Sequence, residues 1–346
     1  MQITINNTLC TTLEEVQEVA SPHLYDFVEE FTNDDEYIIV RTSGSTGKPK
    51  KIKLFKDDMI ASARLTNQFF GINSQSLFYL PLSPDYIAGK MMILRALIAE
   101  ASIIEEPASN TPLAHYTGRE IDLICVVPSQ VEYILNNPDK EKLIRKMIIG
   151  GGTIHNNLWE RIADSPIKSY ATYGMTETCS HVALARITDD RQPFMAIGET
   201  TFDTDERNCL IVNTPQFRNE QITTNDLVEL VGPTAFYWCG RYDNIINTGG
   251  IKIFPEDIEF KISPLIHQPF YISSRESEKW GEELVLMLED PTIEDEDKQI
   301  VSEISEQLLT ELKKLLPSYA IPRTLITVKA FQRTPSNKLR RTPPED

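Results

Sequence analysis

Residues 42–50 read Thr-Ser-Gly-Ser-Thr-Gly-Lys-Pro-Lys and combine two devices that bind polyphosphate. The glycines Gly44 and Gly47 let backbone N–H groups turn inward around an anion. Further donors are the hydroxyl and ammonium groups of Thr42, Ser43, Ser45, Thr46, Lys48 and Lys50. The segment therefore predicts a nucleotide-phosphate loop, and the alternative interpretation is a solvated turn that carries two surface lysines.

The spacing of this loop excludes the Walker A motif, G-x-x-x-x-G-K, because only Ser45 and Thr46 separate its two glycines. A β-branched run at residues 37–40 enters the loop, and residues 51–54 read as a second strand that leaves it. Walker A loops lead into a helix instead. We therefore expect a phosphate clamp built as strand, loop and strand.

A second polar stretch, Tyr173-Gly-Met-Thr-Glu177, follows a predicted strand at residues 167–172. The glycines Gly150, Gly151 and Gly152 follow another predicted strand at residues 147–149 in the same way. Loops at the carboxyl ends of parallel strands meet at one edge of a sheet, so we expect these two segments to lie together. Mg²⁺ usually combines one carboxylate with phosphate oxygens, which makes Glu177 a candidate metal ligand.

The wider pattern predicts an α/β protein with mainly parallel strands in its first part, because strand-like runs alternate with helical stretches. Strands are predicted at residues 76–82, 121–127, 147–149 and 167–172, and a helix at 87–100. Short β segments at 210–212, 227–231 and 236–239 predict a small β subdomain. A long acidic amphipathic helix is predicted at 293–316 and a final strand at 324–328. The length of 346 residues favours two domains, 1–240 and a smaller α+β domain at 241–346.

Composition narrows the set of partners. A net charge of −17 argues against nucleic acid and anionic membranes, since both require a basic face. No apolar stretch is long enough for membrane insertion, and the first residues lack a secretory pattern, so a cytoplasmic location is expected. Five widely spaced cysteines without a C-x-x-C pair read as reduced thiols. The sequence leaves open whether the chain forms homo-oligomers.

From about residue 37 onward, these motifs resemble those of the adenylate-forming superfamily, which contains acyl-CoA synthetases, adenylation domains of peptide synthetases, and luciferases. The resemblance implies that residues 42–48 and Lys50 bind the ATP phosphates. It also implies that Tyr173 and Gly174 lie beside the adenine, that Thr176 reaches the α-phosphate, and that Glu177 binds Mg²⁺. The Gly150–Gly152 segment belongs to the same implied ATP/AMP site.

The later motifs also match the family in order. Thr224-Asn-Asp226 resembles its ribose-binding element, and Gly240-Arg-Tyr-Asp243 resembles the element in which Arg241 reaches the ribose and Asp243 is the hinge of a mobile C-terminal domain. Gly249, Gly250 and Lys252 correspond to the channel for CoA. In the segment 333–341, Lys338 corresponds to the lysine that catalyses adenylation. Asn225 and Asn337 stand where the family usually has glycine.

The resemblance implies an ATP-dependent ligase that activates a small-molecule carboxylic acid as an acyl-adenylate and transfers the acyl group to CoA, with Mg²⁺ as cofactor. The small size and the few residues before the phosphate loop are most similar to the short o-succinylbenzoate-CoA ligases of menaquinone biosynthesis. One alternative is another aryl or fatty acid-CoA ligase. Others are a stand-alone amino-acid adenylation enzyme, in which Asp85 would hold the ammonium, and a catalytically silent nucleotide-binding regulator.

The acyl pocket departs from the family, because residues 80–89 lack the histidine usually found there. A substrate with a second carboxylate needs a cation in this pocket. Lys90 and Arg95 on the predicted helix are the candidates, and arginine offers the better bidentate geometry. The alternative is that both side chains extend to solvent from an amphipathic helix.

Overall fold

The computed structural model describes residues 2–41, 50–295, 298–333, 339–342 and 344. Two predicted parts of the site, the phosphate-loop residues Thr42–Lys48 and the lysine Lys338, lie outside these ranges. Lys50 is described and is exposed.

Described residues before position 242 form a 13-stranded sheet, a separate two-stranded ribbon and flanking helices. The strands are β1 Ile3–Ile5, β2 Thr8–Cys10, β3 Tyr37–Arg41, β4 Lys51–Phe55, β5 Leu77–Leu80, β6 Ser102–Glu105, β7 Leu123–Val126, β8 Lys146–Ile149, β9 Lys168–Gly174, β10 His181–Arg186, β11 Phe194–Ala196, β12 Thr201–Thr204, β13 Cys209–Asn213, β14 Gln221–Leu230 and β15 Ala235–Arg241. The helices are α1 Leu13–Val19, α2 Pro22–Thr32, α3 Lys56–Phe70, α4 Ile87–Ile98, α5 Pro128–Leu135, α6 Pro138–Glu141 and α7 Asn156–Ala163.

Parallel strands form the centre of the large sheet, in the order β6, β5, β7, β8, β9. Every residue of β5 and of β7 is buried, as expected where helices cover both faces of a parallel sheet. The prediction of an α/β fold with mainly parallel strands between residues 76 and 172 is confirmed. One apolar cluster packs α2, α3 and α4 against the sheet, and a second packs α5 and α7 against it.

The ribbon of β3 and β4 pairs Tyr37 with Phe55 and Arg41 with Lys51 in antiparallel register. These two strands flank the predicted phosphate loop, so the expected strand-loop-strand arrangement of its flanks is confirmed. α3 begins at Lys56, directly after β4.

Strands β10 to β15 are antiparallel and extend the same sheet beyond β9. The three predicted segments at 210–212, 227–231 and 236–239 fall in β13, β14 and β15, or at their ends. Phe202, Leu210, Val212 and Phe236 form the apolar core under these strands. The small β subdomain is therefore continuous with the large sheet.

The described residues after position 245 form a second sheet of six strands with its own apolar core. Its strands are β16 Ile246–Thr248, β17 Ile251–Ile253, β18 Phe270–Ser277, β19 Gly281–Glu289, β20 Ile300–Glu303 and β21 Thr324–Val328, and its helices are α8 Pro255–Ile262 and α9 Glu306–Leu315. The strand predicted at 324–328 is confirmed as β21.

The long helix predicted at 293–316 is wrong. Residues Ile300–Glu303 form the edge strand β20, which pairs antiparallel with β21. The helix begins only after Ser305, whose hydroxyl accepts the backbone N–H of Leu308 and so caps α9. Pairing with β21 and this cap outweigh the helical spacing of the apolar residues, and Ile300 is consequently exposed.

Within the described ranges, no helix combines the length and apolar character needed to cross a membrane. All five cysteines are free thiols, and four of them are buried.

Candidate adenylate-binding site

The site is built at the carboxyl edge of the parallel strands. β8 and β9 are neighbours in parallel register, so Gly150–Gly152, which follow β8, and Gly174, the last residue of β9, lie at the same edge. A Cβ atom at Gly174 would lie 2.2 Å from the carbonyl oxygen of Ser180, so this position requires glycine. The chain folds back closely here through a short 3-10 turn, Thr176–Thr178, and enters β10. The structure thus brings together the predicted glycine segments and the Thr176-Glu177 pair.

Glu177 is exposed and lines a cavity of about 260 Å³ between β4 and the segment 217–219. Two cations, Lys53 and Arg218, also line it. Both lie against the ring of Phe55, with the Arg218 guanidinium carbon 4.0 Å and the Lys53 Nζ 4.9 Å from the ring centroid. Among the described residues no group of three metal-ligating side chains occurs. Asp58 is a second carboxylate of this cavity, but it is buried and accepts the backbone N–H of Arg218 at 3.1 Å. The exposed Glu177 therefore suits a Mg²⁺ ion that takes its remaining ligands from phosphate and water.

Asp226 on β14 is the centre of a second polar group. Its Oδ2 accepts the hydroxyl of Tyr173 at 2.7 Å, and its Oδ1 accepts the indole N–H of Trp238 at 3.2 Å. Arg241 Nη1 lies 3.5 Å from the same Oδ1, and Arg241 Nη2 lies 2.8 Å from Asp243. The predicted ribose residues Asp226 and Arg241 are therefore in contact, next to the predicted hinge residue.

The ring of Tyr173 is 9% exposed and packs on Phe236, with the two centroids 5.0 Å apart. Burial, together with the charge of Asp226, raises the pKa of the Tyr173 phenol well above its ordinary value. Tyr173 therefore stays a neutral hydrogen-bond donor to Asp226 at neutral pH. This contact links the second motif directly to the ribose element.

The two acyl-pocket candidates on α4 are not brought together. Lys90 faces α2, where its Nζ lies 3.8 Å from Glu30 and 4.8 Å from the ring centroid of Phe27. Arg95 is 1% exposed, and its Nη2 donates to the Ser180 hydroxyl at 2.6 Å. The alternative interpretation, extension to solvent, is wrong for Arg95.

Arg95 is a buried cation without a carboxylate partner among the described residues. Its Nε, also buried, has no hydrogen-bond partner there. Burial lowers the pKa of the guanidinium to about 10. Since an unpaired buried charge is costly, the arrangement favours binding of an anion.

A small pocket lies beside Ser180, on the side of His181. Its walls combine apolar and polar side chains, namely Ser62, Leu65, His181, Val182, Ile197, Thr200, Gln216 and Phe217. Gln216 donates to the Thr200 hydroxyl at 3.0 Å, while its buried Oε1 has no partner within the described part of the chain. Phe217 also lines the cavity of Glu177, so this residue separates the two spaces.

The predicted CoA channel starts at the turn between β16 and β17. Gly249 and Gly250 have φ values of +58° and +81°, which favour glycine. Gly249 donates its N–H to the carbonyl of Trp280 at 2.8 Å, and a Cβ there would lie 3.0 Å from the indole. Lys252 is exposed on β17. Trp280 was not predicted, because no sequence signal connects it with a turn some thirty residues earlier.

The chain on the C-terminal side of Lys338 is fixed by a buried ion pair. Arg341 donates to both carboxylate oxygens of Glu259 on α8, at 2.5 and 2.6 Å. The Glu259 side chain is only 2% exposed and also accepts the N–H of Ile272 at 2.7 Å. Tyr271 donates its hydroxyl to the carbonyl of Thr342 at 2.9 Å. These contacts hold residues 341–342 against α8 and β18.

Comparisons with solved structures agree with this architecture. An AMP-forming acyl-CoA synthetase/AMP-acid ligase II-like protein from Dyadobacter fermentans is 28% identical, with a TM-score of 0.61, and the match covers 95% of this chain and 96% of that one. The o-succinylbenzoate CoA synthetase MenE of Bacillus subtilis, solved with ATP and magnesium, is 22% identical with a TM-score of 0.71. That match covers 88% of this chain and 68% of MenE. The predicted two-domain adenylate-forming fold is confirmed.

Sequence relatives give the same family. The 2-succinylbenzoate–CoA ligase of Bacillus subtilis (strain 168) is 24% identical over 346 residues, covering 89% of this chain and 68% of the relative. The ligase of the same name from Bacillus mycoides (strain KBAB4) is 23% identical over 379 residues, covering 98% and 75%. The family model described as "AMP-binding enzyme" matches residues 3–207, more than half of the chain. The resemblance to adenylate-forming enzymes is thus confirmed, and the chain belongs to the AMP-binding enzyme family.

Proposed function

We propose that this AMP-binding enzyme is a CoA ligase for an aromatic acid with two carboxylates, and that 2-succinylbenzoate is the acid. The observation that carries the proposal is Arg95, a buried guanidinium without a carboxylate partner among the described residues. A second substrate carboxylate would accept bidentate hydrogen bonds from it. The names of the sequence relatives in the two Bacillus species support this choice of acid.

The adjoining spaces define where the acid would have to bind. The pocket beside His181 is mixed in polarity and shares Phe217 with the cavity of Glu177, but it holds no free space of the size of a water molecule, so the acid would enter it only when the surrounding side chains move apart. The carboxylate to be activated would lie where the two spaces meet. Arg95, which lies next to Ser180 and His181, would donate hydrogen bonds to the distal carboxylate.

In the first step, a carboxylate oxygen of the acid attacks the α-phosphorus of ATP. The bond from phosphorus to the bridging oxygen breaks, and pyrophosphate leaves. Asp226 and Arg241 would hold the ribose, and the predicted loop at 42–50 would hold the phosphates. A Mg²⁺ ion bound at Glu177 would neutralise charge on the phosphate oxygens. Lys338 would stabilise the charge that grows in the transition state.

In the second step, the CoA thiol gives its proton to solvent, its sulfur bonds to the acyl carbon, and the bond from that carbon to the AMP oxygen breaks, so that AMP leaves. We propose that residues 241–346 rotate about Asp243, which withdraws Lys338 and brings the Gly249-Gly250 turn and Lys252 to the site. Trp280 packs on this turn, and the cations Lys279 and Arg323 lie 4.9 and 5.1 Å from its ring. This surface would bind the CoA nucleotide. Because ATP and CoA are cytoplasmic, the proposal implies a cytoplasmic enzyme.

The amino-acid alternative is less well supported. An α-ammonium group needs a carboxylate inside the pocket, whereas the Asp85 side chain is 59% exposed and lies 3.0 Å from His23 Nδ1 at the surface. Another aryl or fatty acid would leave Arg95 without its anion. A silent regulator would also use Thr176, Glu177 and Asp226 to bind its nucleotide, whereas Lys338 would be needed only for adenylation, so the exchange assay must separate the two.

The test is pyrophosphate exchange into ATP across a panel of acids, followed by addition of CoA. The panel contains 2-succinylbenzoate, benzoate, a medium-chain fatty acid and several amino acids. We expect exchange to be at least about tenfold faster with 2-succinylbenzoate, given the value of one charged hydrogen bond. Equal exchange with benzoate would contradict the role of Arg95, and no exchange with any acid would favour the silent regulator.

A further inference from the structure

Trp238 lies beside the proposed ribose site. In a regular strand, its side chain would be on the face of the sheet opposite to Asp226. In β14 and β15, Asp226 pairs with Arg241 and Leu227 with Gly240, but Val228 pairs with Trp238. Cys239 is therefore an extra residue, and β15 contains a bulge at this point. Because of this extra residue, the side chains that precede it in β15 lie on the opposite face of the sheet from the one they would have in a regular strand.

The consequence is a specific contact. Without the bulge, Trp238 would pair with Glu229 and project to the opposite face from Asp226. With it, Trp238 shares the face of Asp226, and its indole N–H donates to Oδ1 at 3.2 Å. Gly240 permits the bulge, with φ of +144° and no Cβ against the Glu256 carboxylate, which would be 2.7 Å away.

The two donors to Asp226 act on different oxygens. Tyr173 binds Oδ2 and Trp238 binds Oδ1, so the carboxylate plane is fixed from both ends. Oδ2 keeps a further lone pair, whereas Oδ1 also faces Arg241 Nη1 at 3.5 Å. A carboxylate held in this way can accept one hydroxyl of a ribose 2′,3′-diol at Oδ2, and the neighbouring hydroxyl at Oδ1 once Arg241 turns from Oδ1 to the sugar.

We infer that Trp238 is a positioning residue that fixes Asp226 for recognition of the 2′,3′-diol of the nucleotide. The inference rests on the proposed function, in which Asp226 binds the ribose. It adds that the enzyme's preference for ribonucleotides depends on an indole N–H that does not itself touch the substrate. Trp238 therefore acts on the binding of the nucleotide and little on the chemical step.

The test compares Trp238→Phe, which keeps a ring and removes the N–H, with the matched control Trp159→Phe. Trp238 is half-buried, whereas Trp159 is a buried indole, 9% exposed, that donates to the carbonyl of Thr188 at 2.9 Å. The dissociation constants of ATP and of 2′,3′-dideoxy-ATP are measured by titration calorimetry, and KM and kcat are measured for ATP. Thermal unfolding checks that each variant is folded.

We expect Trp238→Phe to weaken ATP binding and raise its KM about tenfold, the scale of one charged hydrogen bond, with kcat changed little. Binding of 2′,3′-dideoxy-ATP should hardly change, because it has no diol for Asp226 to hold. Asp226→Asn should give the same pattern, and the double variant should lose no more than Asp226→Asn alone. Trp159→Phe should leave the ratio of the two affinities unchanged.

Two results would overturn the inference. Equal weakening of both nucleotides by Trp238→Phe would mean a general structural effect, and unchanged ATP binding would mean that the N–H is dispensable. A failure of the proposed function is distinguishable from both. It would appear in the unmodified chain as equal affinity for ATP and 2′,3′-dideoxy-ATP, before any substitution is made.

Discussion

Arg95 and Arg341 are two largely buried arginines in opposite electrostatic situations. Arg341 is matched by Glu259, which accepts two hydrogen bonds from it. Arg95 has one hydrogen bond, to a neutral hydroxyl, and no carboxylate among the described residues. A matched charge stabilises the local arrangement once it is folded, whereas an unmatched one lowers stability and is available to a ligand. The difference indicates a structural role for Arg341 and a binding role for Arg95.

The largest effect is expected at Lys338, three residues before the matched arginine. Lys338→Ala should reduce adenylation about 10²- to 10³-fold, because a preorganised cation would be lost from the transition state. Thioester formation from preformed acyl-AMP should be spared. Separate assays of the two half-reactions check this, and an equal loss in both would contradict the assigned role.

Arg341→Met tests the arginine that has a carboxylate partner. It should lower the free energy of unfolding by about 3 kcal/mol, because Glu259 would remain buried without its partner. Chemical denaturation followed by fluorescence measures the change. Arg145→Met, which breaks a surface contact with Glu120, is the control and should change stability little. Replacing Glu259 by Gln as well should recover part of the loss, because the buried charge is removed while the amide oxygen can still accept the N–H of Ile272.

Arg95→Met tests the arginine without a carboxylate partner among the described residues. Unlike Arg341→Met, it should not lower the free energy of unfolding. Removing an unpaired buried charge should leave the free energy of unfolding unchanged or raise it. The KM for 2-succinylbenzoate should rise about 30-fold, equivalent to about 2 kcal/mol, through loss of a charge-assisted contact. Steady-state kinetics with the acid varied decide the question. A KM that does not change would remove Arg95 from the acyl pocket.

The smallest effect concerns His181, which lies beside Ser180 and contacts the Thr66 hydroxyl at 3.1 Å. Burial, with the nearby Arg95, lowers the pKa of His181 well below its ordinary value of 6.5. The unfolded chain therefore binds a proton near pH 6 that the folded chain does not. Stability should be complete above pH 6.5 and fall as the pH decreases, by up to about 1.4 kcal/mol per pH unit.

His181→Gln should remove this part of the pH dependence. The measurement is the difference in unfolding free energy between the variant and the unmodified chain from pH 7.5 to 5.5, which cancels the contribution of the other titrating groups. A constant difference over this range would show that His181 does not titrate as described.

Local patterns were enough to predict the parallel strands, the flanks of the phosphate loop, and the grouping of Gly150–Gly152 with Thr176 and Glu177. The strands depend on residues near one another in sequence, and the grouping follows because β8 and β9 are parallel and end at the same edge of the sheet. The helix at 293–316 failed because pairing of Ile300–Glu303 with a strand some twenty residues later outweighed the local spacing.

Three functional features could not be read from the sequence for physical reasons. The facing of Trp238 depends on a bulge, which changes the two-residue alternation by one position. The match between Arg341 and Glu259 joins residues 82 positions apart. For Arg95, helical periodicity gave no means of distinguishing a buried side chain from one that extends to solvent.

Phe217, the residue that separates the pocket of His181 from the cavity of Glu177, also makes the two ligands thermodynamically linked. If an acid in one space shifts this ring, the affinity for nucleotide in the other space must change by some factor. Reciprocity then requires that nucleotide change the affinity for the acid by the same factor and in the same direction. The strength of the coupling between the two substrates, whichever binds first, would thus depend on one aromatic side chain.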